Sequence, residues 1–65
     1  MHTVFAYRIP GKVPVIVGQT GCITNAKMIA IDHAKDCGHA AIKHNESVDW
    51  THFRKDGDLI KVSAF

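Results

Sequence analysis

Two short apolar runs separated by a turn open the chain. Residues 3–9 are rich in β-branched and aromatic side chains, and residues 10–12, Pro-Gly-Lys, carry a strong turn signal. A second apolar run at residues 13–17 stops at Gly18. We predict a β-hairpin with residues 10–12 as its loop. Pro14 indicates that the second strand lies at a sheet edge or contains a bulge, because proline cannot donate a hydrogen bond to a neighbouring strand.

A stretch without glycine or proline follows and has the spacing of a helix. We place this helix at residues 25–37, with Thr24 or Asn25 as its N-cap and Gly38 just past its end. At about 100° per residue, the apolar positions fall on one alanine-centred face, which allows the helix to lie close to a sheet. That face consists of Ile23, Ala26, Ala30, Ala34 and Cys37, with Ile29 and Ile31 on its flanks.

The remainder of the chain has the pattern of three strands. Residues 39–45 are predicted as the first of these strands, and residues 45–47 as the loop that follows it. Residues 59–64 are predicted as the last strand. Residues 55–58 are predicted as a hairpin turn in which a glycine takes a positive φ angle. The strand between them, residues 48–54, alternates, with Val48, Trp50 and His52 on one side and Asp49, Thr51 and Phe53 on the other.

The order of elements is therefore β-β-α-β-β-β. We predict an α+β fold in which a single helix packs on an antiparallel sheet of four to five strands, because one covered sheet face is the simplest packing for these elements. The pattern contains no repeat or linker, so residues 1–65 are predicted to form a single domain.

Length and composition narrow the possible functions. A chain of 65 residues buries only about 60% of the surface that its unfolded form exposes, which leaves little interior for a substrate pocket. We therefore expect a binding protein and not an enzyme, with no cofactor and no small-molecule substrate. No apolar run approaches the roughly 20 residues of a membrane span, and the first residues do not resemble a signal peptide, so we expect a cytoplasmic protein without a membrane partner.

Cysteines and histidines are the residues most able to carry chemistry. A helix between Cys22 and Cys37 would separate them by roughly 20 Å, so we expect free thiols. Nucleophilic catalysis by Cys37 beside His33 or His39 would also need an electropositive setting, an orienting third group and an oxyanion site, and a chain of this size has little room for all three. The spacing of the possible metal ligands matches no closed zinc pattern, so no metal site is predicted; these ligands are Cys22, His33, Cys37, His39 and His44.

Basic residues suggest a binding surface, although the net charge is only +2. Lys27 and Lys35 point outward from the predicted helix, and Met28 is the only large apolar residue on that outer face. Arg54, Lys55 and Lys61 are expected to cluster around the last hairpin, near Trp50 and Phe53. Such a set of basic residues could bind along a phosphate backbone. The alternative is that these residues serve only to keep a small domain soluble. The candidate binding residues are Lys27, Met28, Lys35, Arg54, Lys55 and Lys61.

From the helix to the C-terminus, the chain resembles the small type I-F anti-CRISPR proteins of phages. The resemblance rests on four short segments in similar order and spacing, and the first third of the chain does not share it. These segments are Ala26-Lys27-Met28-Ile29-Ala30, Cys37-Gly38-His39, Glu46-Ser47-Val48-Asp49 and Lys55-Asp56-Gly57. The general pattern is also similar to small phage inhibitors of bacterial RNA polymerase.

The anti-CRISPR resemblance implies an inhibitor that acts in the cytoplasm of an infected bacterium. It would bind the backbone subunits of a type I crRNA-guided surveillance complex, contact guide RNA or duplex DNA, and block hybridisation with target DNA. Lys27 and Lys55 match basic positions of the family pattern, and Lys35 and Arg54 are near matches. The alternatives are a small nucleic-acid-binding domain without a protein target, or an inhibitor of another host machine such as RNA polymerase.

Overall fold

The computed structural model describes residues 1–8, 13–44 and 48–64. These residues form one helix on a five-stranded antiparallel sheet, so the predicted β-β-α-β-β-β fold is confirmed. The predicted loops at residues 10–12 and 45–47 lie outside the described residues. The elements are β1 (His2–Arg8), β2 (Val13–Thr20), α1 (Ile23–Cys37), β3 (His39–His44), β4 (Trp50–Asp56) and β5 (Leu59–Ala64).

The strands are arranged in the order β2-β1-β3-β4-β5. β3 lies in the middle between β1 and β4, and β2 and β5 form the edges. β2, which contains Pro14, is therefore an edge strand, as predicted. The bulge is not at Pro14 but further along the β1–β2 pair, where the register shifts between Val4 and Phe5.

The helix covers one sheet face and packs through its predicted alanines. Ala26, Ala30 and Ala34 are fully buried, and they form the core with residues from the three central strands. Small side chains let the helix backbone approach the sheet, which leaves room for larger residues beneath it. The strand contributors to this core are Val4, Ala40, Ile42 and Phe53, and Val17, Ile29, Ile31 and Ile60 pack at its margin.

Helix α1 begins two residues earlier than predicted. Cys22 is the N-cap, and its carbonyl oxygen accepts the first helical hydrogen bond from Ala26 N at 3.0 Å. Thr20 Oγ1 accepts a hydrogen bond from Cys22 N, so a threonine supports this end from before the cap. At the other end the prediction is confirmed: Gly38 has a φ of 91° and donates to the Ala34 carbonyl oxygen at 2.8 Å.

Several strand boundaries differ from the predictions, and β1 begins one residue earlier, at His2. β2 continues through Gly18, where a Cβ atom would lie 3.2 Å from Ile29 Cδ1, so the glycine allows close contact with the helix. β4 begins at Trp50, because its described ladder with β3 starts there. The strand then extends to Asp56, which shortens the last turn, and Gly57 takes the predicted positive φ, 64°.

No helix among the described residues is both long enough and apolar enough to cross a membrane.

Candidate binding face

The helix leaves one sheet face uncovered, here called the open face, and the described residues place five rings on it. Side chains alternate along each strand, so residues one position away from the core residues Val4, Ala40 and Phe53 lie on this face. We call these rings the ring layer; they are Phe5 and Tyr7 of β1, His39 of β3, and Trp50 and His52 of β4.

Ala41 allows the rings of β1 and β4 to meet across β3. It lies opposite Phe5 on one side and His52 on the other, and it is fully buried although it is on the open face. Its methyl group is too small to separate its neighbours, so the Phe5 and Trp50 rings approach with centroids 5.3 Å apart. The ring layer is therefore a continuous surface across the three central strands.

The other half of the layer is built on His39. Its ring stacks on Tyr7 with centroids 4.1 Å apart and planes 10° from parallel. His39 Nε2 is 3.0 Å from His52 Nδ1, a hydrogen bond in which one imidazole donates and the other accepts. These contacts hold the rings in fixed relative positions, as a binding surface requires.

His52 is the most enclosed member of the layer. Burial lowers the pKa of His52, and the positive charge of Arg54 acts in the same direction. The imidazole is therefore held neutral at neutral pH, and it contributes an uncharged ring to the surface.

Cationic side chains border the ring layer on β3, β4 and β5. Lys43 Nζ lies 5.8 Å from the centroid of the Trp50 ring, within the range of a cation–π contact. At the other end, Arg54 lies opposite Lys61, which forms an ion pair of 2.6 Å with Asp56. Arg54 Nη1 is also 3.4 Å from Ser63 Oγ. The open face thus combines half-buried rings with exposed positive charges.

The predicted binding residues are divided between two sides of the molecule. Arg54 and Lys61 border the open face, whereas Lys55 points to the helix side, where its Nζ is 3.3 Å from the Lys35 carbonyl oxygen. Lys27 and Met28 lie on the outer surface of the helix, where Met28 is 61% exposed. The structure therefore does not bring the six residues into one patch.

Phe53 does not belong beside the basic residues, contrary to the expected hairpin cluster. Its side chain is 1% exposed and lies in the core beneath the helix, while Trp50 lies on the open face. Phe5, Tyr7 and Lys43 also belong to this face and were not predicted from the sequence as site residues. Their signal was the alternation of β1 and β3, which puts them on the uncovered side once strand order is known.

The residues considered as metal ligands or nucleophiles are also dispersed. Cys37 Sγ lies 2.9 Å from the carbonyl oxygen of His33 and 3.2 Å from that of His39, and its single proton is donated to one of them at a time. His44 is on the helix side of the sheet. Its Nδ1 forms a hydrogen bond with Nδ1 of His2, and its Nε2 is 3.0 Å from Thr51 Oγ1. Both cysteines are free, as predicted. Within the described ranges, no group of three or more His, Cys, Asp or Glu side chains is placed to hold a metal ion.

The fold and the open face define a small helix-on-sheet domain with an aromatic and basic sheet surface. No protein-family model, curated protein or solved structure matches the chain.

Proposed function

We propose that the chain binds single-stranded nucleic acid on its open face. The observation that carries this proposal is the ring layer, a continuous set of rings of which all but His52 are partly exposed, bordered by Lys43, Arg54 and Lys61. Unpaired bases stack on such rings, each contributing roughly 1–3 kcal/mol, and cations at the border attract the phosphates. A duplex hides its base faces, so a single strand fits this surface better.

The dimensions of the open face suit a short stretch of bases. The Lys43–Trp50 pair and the His39–Arg54 pair are four residues apart along β3, about 14 Å at strand spacing. This is comparable with other aromatic sheet faces, which stack about two or three bases. Three border cations predict that the logarithm of the binding constant falls with the logarithm of salt concentration with a slope of about −2.

The test is fluorescence anisotropy with labelled single strands of about 12 nucleotides, DNA and RNA, compared with the same sequence as a duplex. Trp50→Ala should weaken single-strand binding roughly 5- to 150-fold, the equivalent of one lost stacking contact. Lys43→Gln should weaken it less and reduce the salt slope by about 0.7. Circular dichroism of each variant separates lost binding from lost structure.

Lys27→Gln is the matched control for Lys43→Gln, because it removes the same charge from the outer surface of the helix. It should leave binding almost unchanged. Equal losses for the two lysine variants, or duplex binding as tight as single-strand binding, would contradict the proposed role of the open face.

A second candidate function is inhibition of a type I surveillance complex, as the anti-CRISPR resemblance suggests. It is supported by the exposed Lys27 and Met28 on the outer surface of α1, a surface independent of the ring layer. Point charges around one exposed apolar side chain suit a protein surface that normally holds nucleic acid. Lys55, on the helix side of the last hairpin, extends this surface.

The two candidates use different residues, so variants distinguish them. Binding to purified surveillance complex, followed by competition with target DNA, measures inhibition directly. If this candidate is right, the double variant Lys27→Glu, Lys55→Glu abolishes complex binding, while Trp50→Ala has little effect. Failure of the wild-type chain to bind the complex would remove this candidate and leave the single-strand proposal intact.

A further inference from the structure

The two edges of the sheet differ in how well they are protected from pairing with another strand. β2 contains Pro14, which lacks a donor, and its ladder is interrupted by the bulge between Val4 and Phe5. Such features are the usual devices that protect an edge. β5 has neither, since its register with β4 runs without a shift from Thr51↔Ala64 to Asp56↔Leu59. β5 is therefore the edge that can accept a further strand.

The side chains of β5 also favour pairing. Val62 is 59% exposed, although it lies within a regular strand. Lys61, the single charged residue of the strand, forms an ion pair with Asp56 on the neighbouring strand. An edge with an exposed apolar side chain, whose one charged residue is already held in an ion pair with its own sheet, resists strand addition less than an edge with a free lysine.

We propose that a second copy of this chain pairs with β5 in antiparallel orientation, with the two-fold axis at Val62. In a symmetric antiparallel pair, the residues that face each other share a sheet face, so the axis passes through a residue position. An axis at position 61 or 62 pairs five of the six residues of β5, and an axis at any other position pairs fewer. An axis at Lys61 would oppose two lysines, whereas an axis at Val62 places Lys61 opposite Ser63 of the second copy.

The same axis brings apolar side chains together on the helix side. Val62 meets Val62 of the second copy, and Ile60 meets Ala64 of the second copy, so exposed β5 side chains become partly buried. The interface is narrow, because strand-edge pairing buries less than a standard protein interface. We therefore expect a weak, reversible dimer with a dissociation constant in the micromolar range.

The dimer would extend the binding face, a consequence that rests on the proposed function. A two-fold axis perpendicular to the sheet keeps both open faces on the same side. The two β4 strands would then be three strand spacings apart, about 14 Å, with the Lys61 side chains of both copies between the ring layers and Arg54 at the border of each layer. One single strand could therefore contact both ring layers.

Sedimentation velocity of the protein alone, over about 10 to 500 µM, tests the dimer without any nucleic acid. The weight-average mass should rise with concentration, and Val62→Lys should remove the rise. Ile16→Lys is the matched control, because it adds the same charge at an exposed apolar position of the other edge strand. A monomer at every concentration, or loss of the dimer in Ile16→Lys instead, would overturn the proposal.

A cross-linking experiment tests the register and does not depend on introducing a charge. In a Cys22→Ser background, Val62→Cys should form an intermolecular disulfide under mild oxidation, because the two side chains face each other at the axis. Lys61→Cys faces Ser63 of the second copy and should cross-link poorly. Preferential cross-linking through position 61 would refute the register. Both experiments are independent of nucleic-acid binding, so failure of the proposed function would not affect their interpretation.

Discussion

Replacing Ile42 with valine tests whether the core lies where the structure places it. Ile42 is fully buried under α1 at the centre of the sheet, and the change removes one methylene. The transfer of that group contributes about 0.8 kcal/mol, and incomplete closure of the space it leaves brings the expected loss to about 1 kcal/mol, within the 0.5–1.5 kcal/mol typical of this substitution. In a domain of this size, such a loss lowers the Tm by roughly 4–8 °C.

Ile16→Val provides the control, because it is the same chemical change on a strand residue that is 58% exposed. It should alter stability by less than about 0.5 kcal/mol. Thermal and guanidinium unfolding, followed by far-UV circular dichroism, measure both variants, and equal m-values would show that the denatured states are comparable. Equal losses of stability in the two variants would refute the assignment of Ile42 to the core and of Ile16 to the surface.

Three further predictions concern the helix ends and the open face. Gly38→Ala should cost about 1 kcal/mol in thermal unfolding, because φ is 91° there, whereas Gly21→Ala, which has free space for a Cβ and no positive φ, should be neutral. The backbone N–H groups of Asn25 and then Thr24, at the start of the helix, lower the pKa of Cys22, so iodoacetamide should alkylate this exposed cysteine before the half-buried Cys37. Mass mapping of partly labelled protein checks the order. Burial lowers the pKa of His52 in the folded protein below its unfolded value of about 6.5. The contribution of His52 to the free energy of unfolding is therefore present above about pH 6.5 and is lost as the pH falls through the folded-state pKa. The guanidinium midpoint should decrease from pH 7.5 to pH 5, and this decrease should be smaller in His52→Gln.

The local elements of this protein could be predicted from the sequence because their signals are local. Gly38 ends the helix, Gly57 supports the last turn, and the alanine spacing identifies the buried helix face, each through contacts within a few residues. The first residue of the helix was predicted less accurately, because Cys22 is not a residue type favoured at the N-cap. Its position is supported by a hydrogen bond from Cys22 N to the Thr20 side chain.

The candidate site depended on information that no local pattern contains. Alternation showed that Trp50 and Phe53 lie on opposite sides of β4, but not which side the helix covers. The basic residues were grouped by their nearness in sequence, and the fold instead separates Lys55 from Lys61 across the sheet. Side-chain direction in a strand changes at every residue, so sequence neighbours often lie on opposite faces.

The sequence by itself thus determined the helix, the strands, their order along the chain and the apolar stripe that packs on the sheet. Only the tertiary structure decided that β1 lies beside β3, which brings Phe5 to Trp50 and Tyr7 to His39 across more than 30 residues of chain. Strand order and register are set by which arrangement buries the most apolar surface and pairs the most backbone groups. Both quantities belong to the whole fold, and the open face exists only as their consequence.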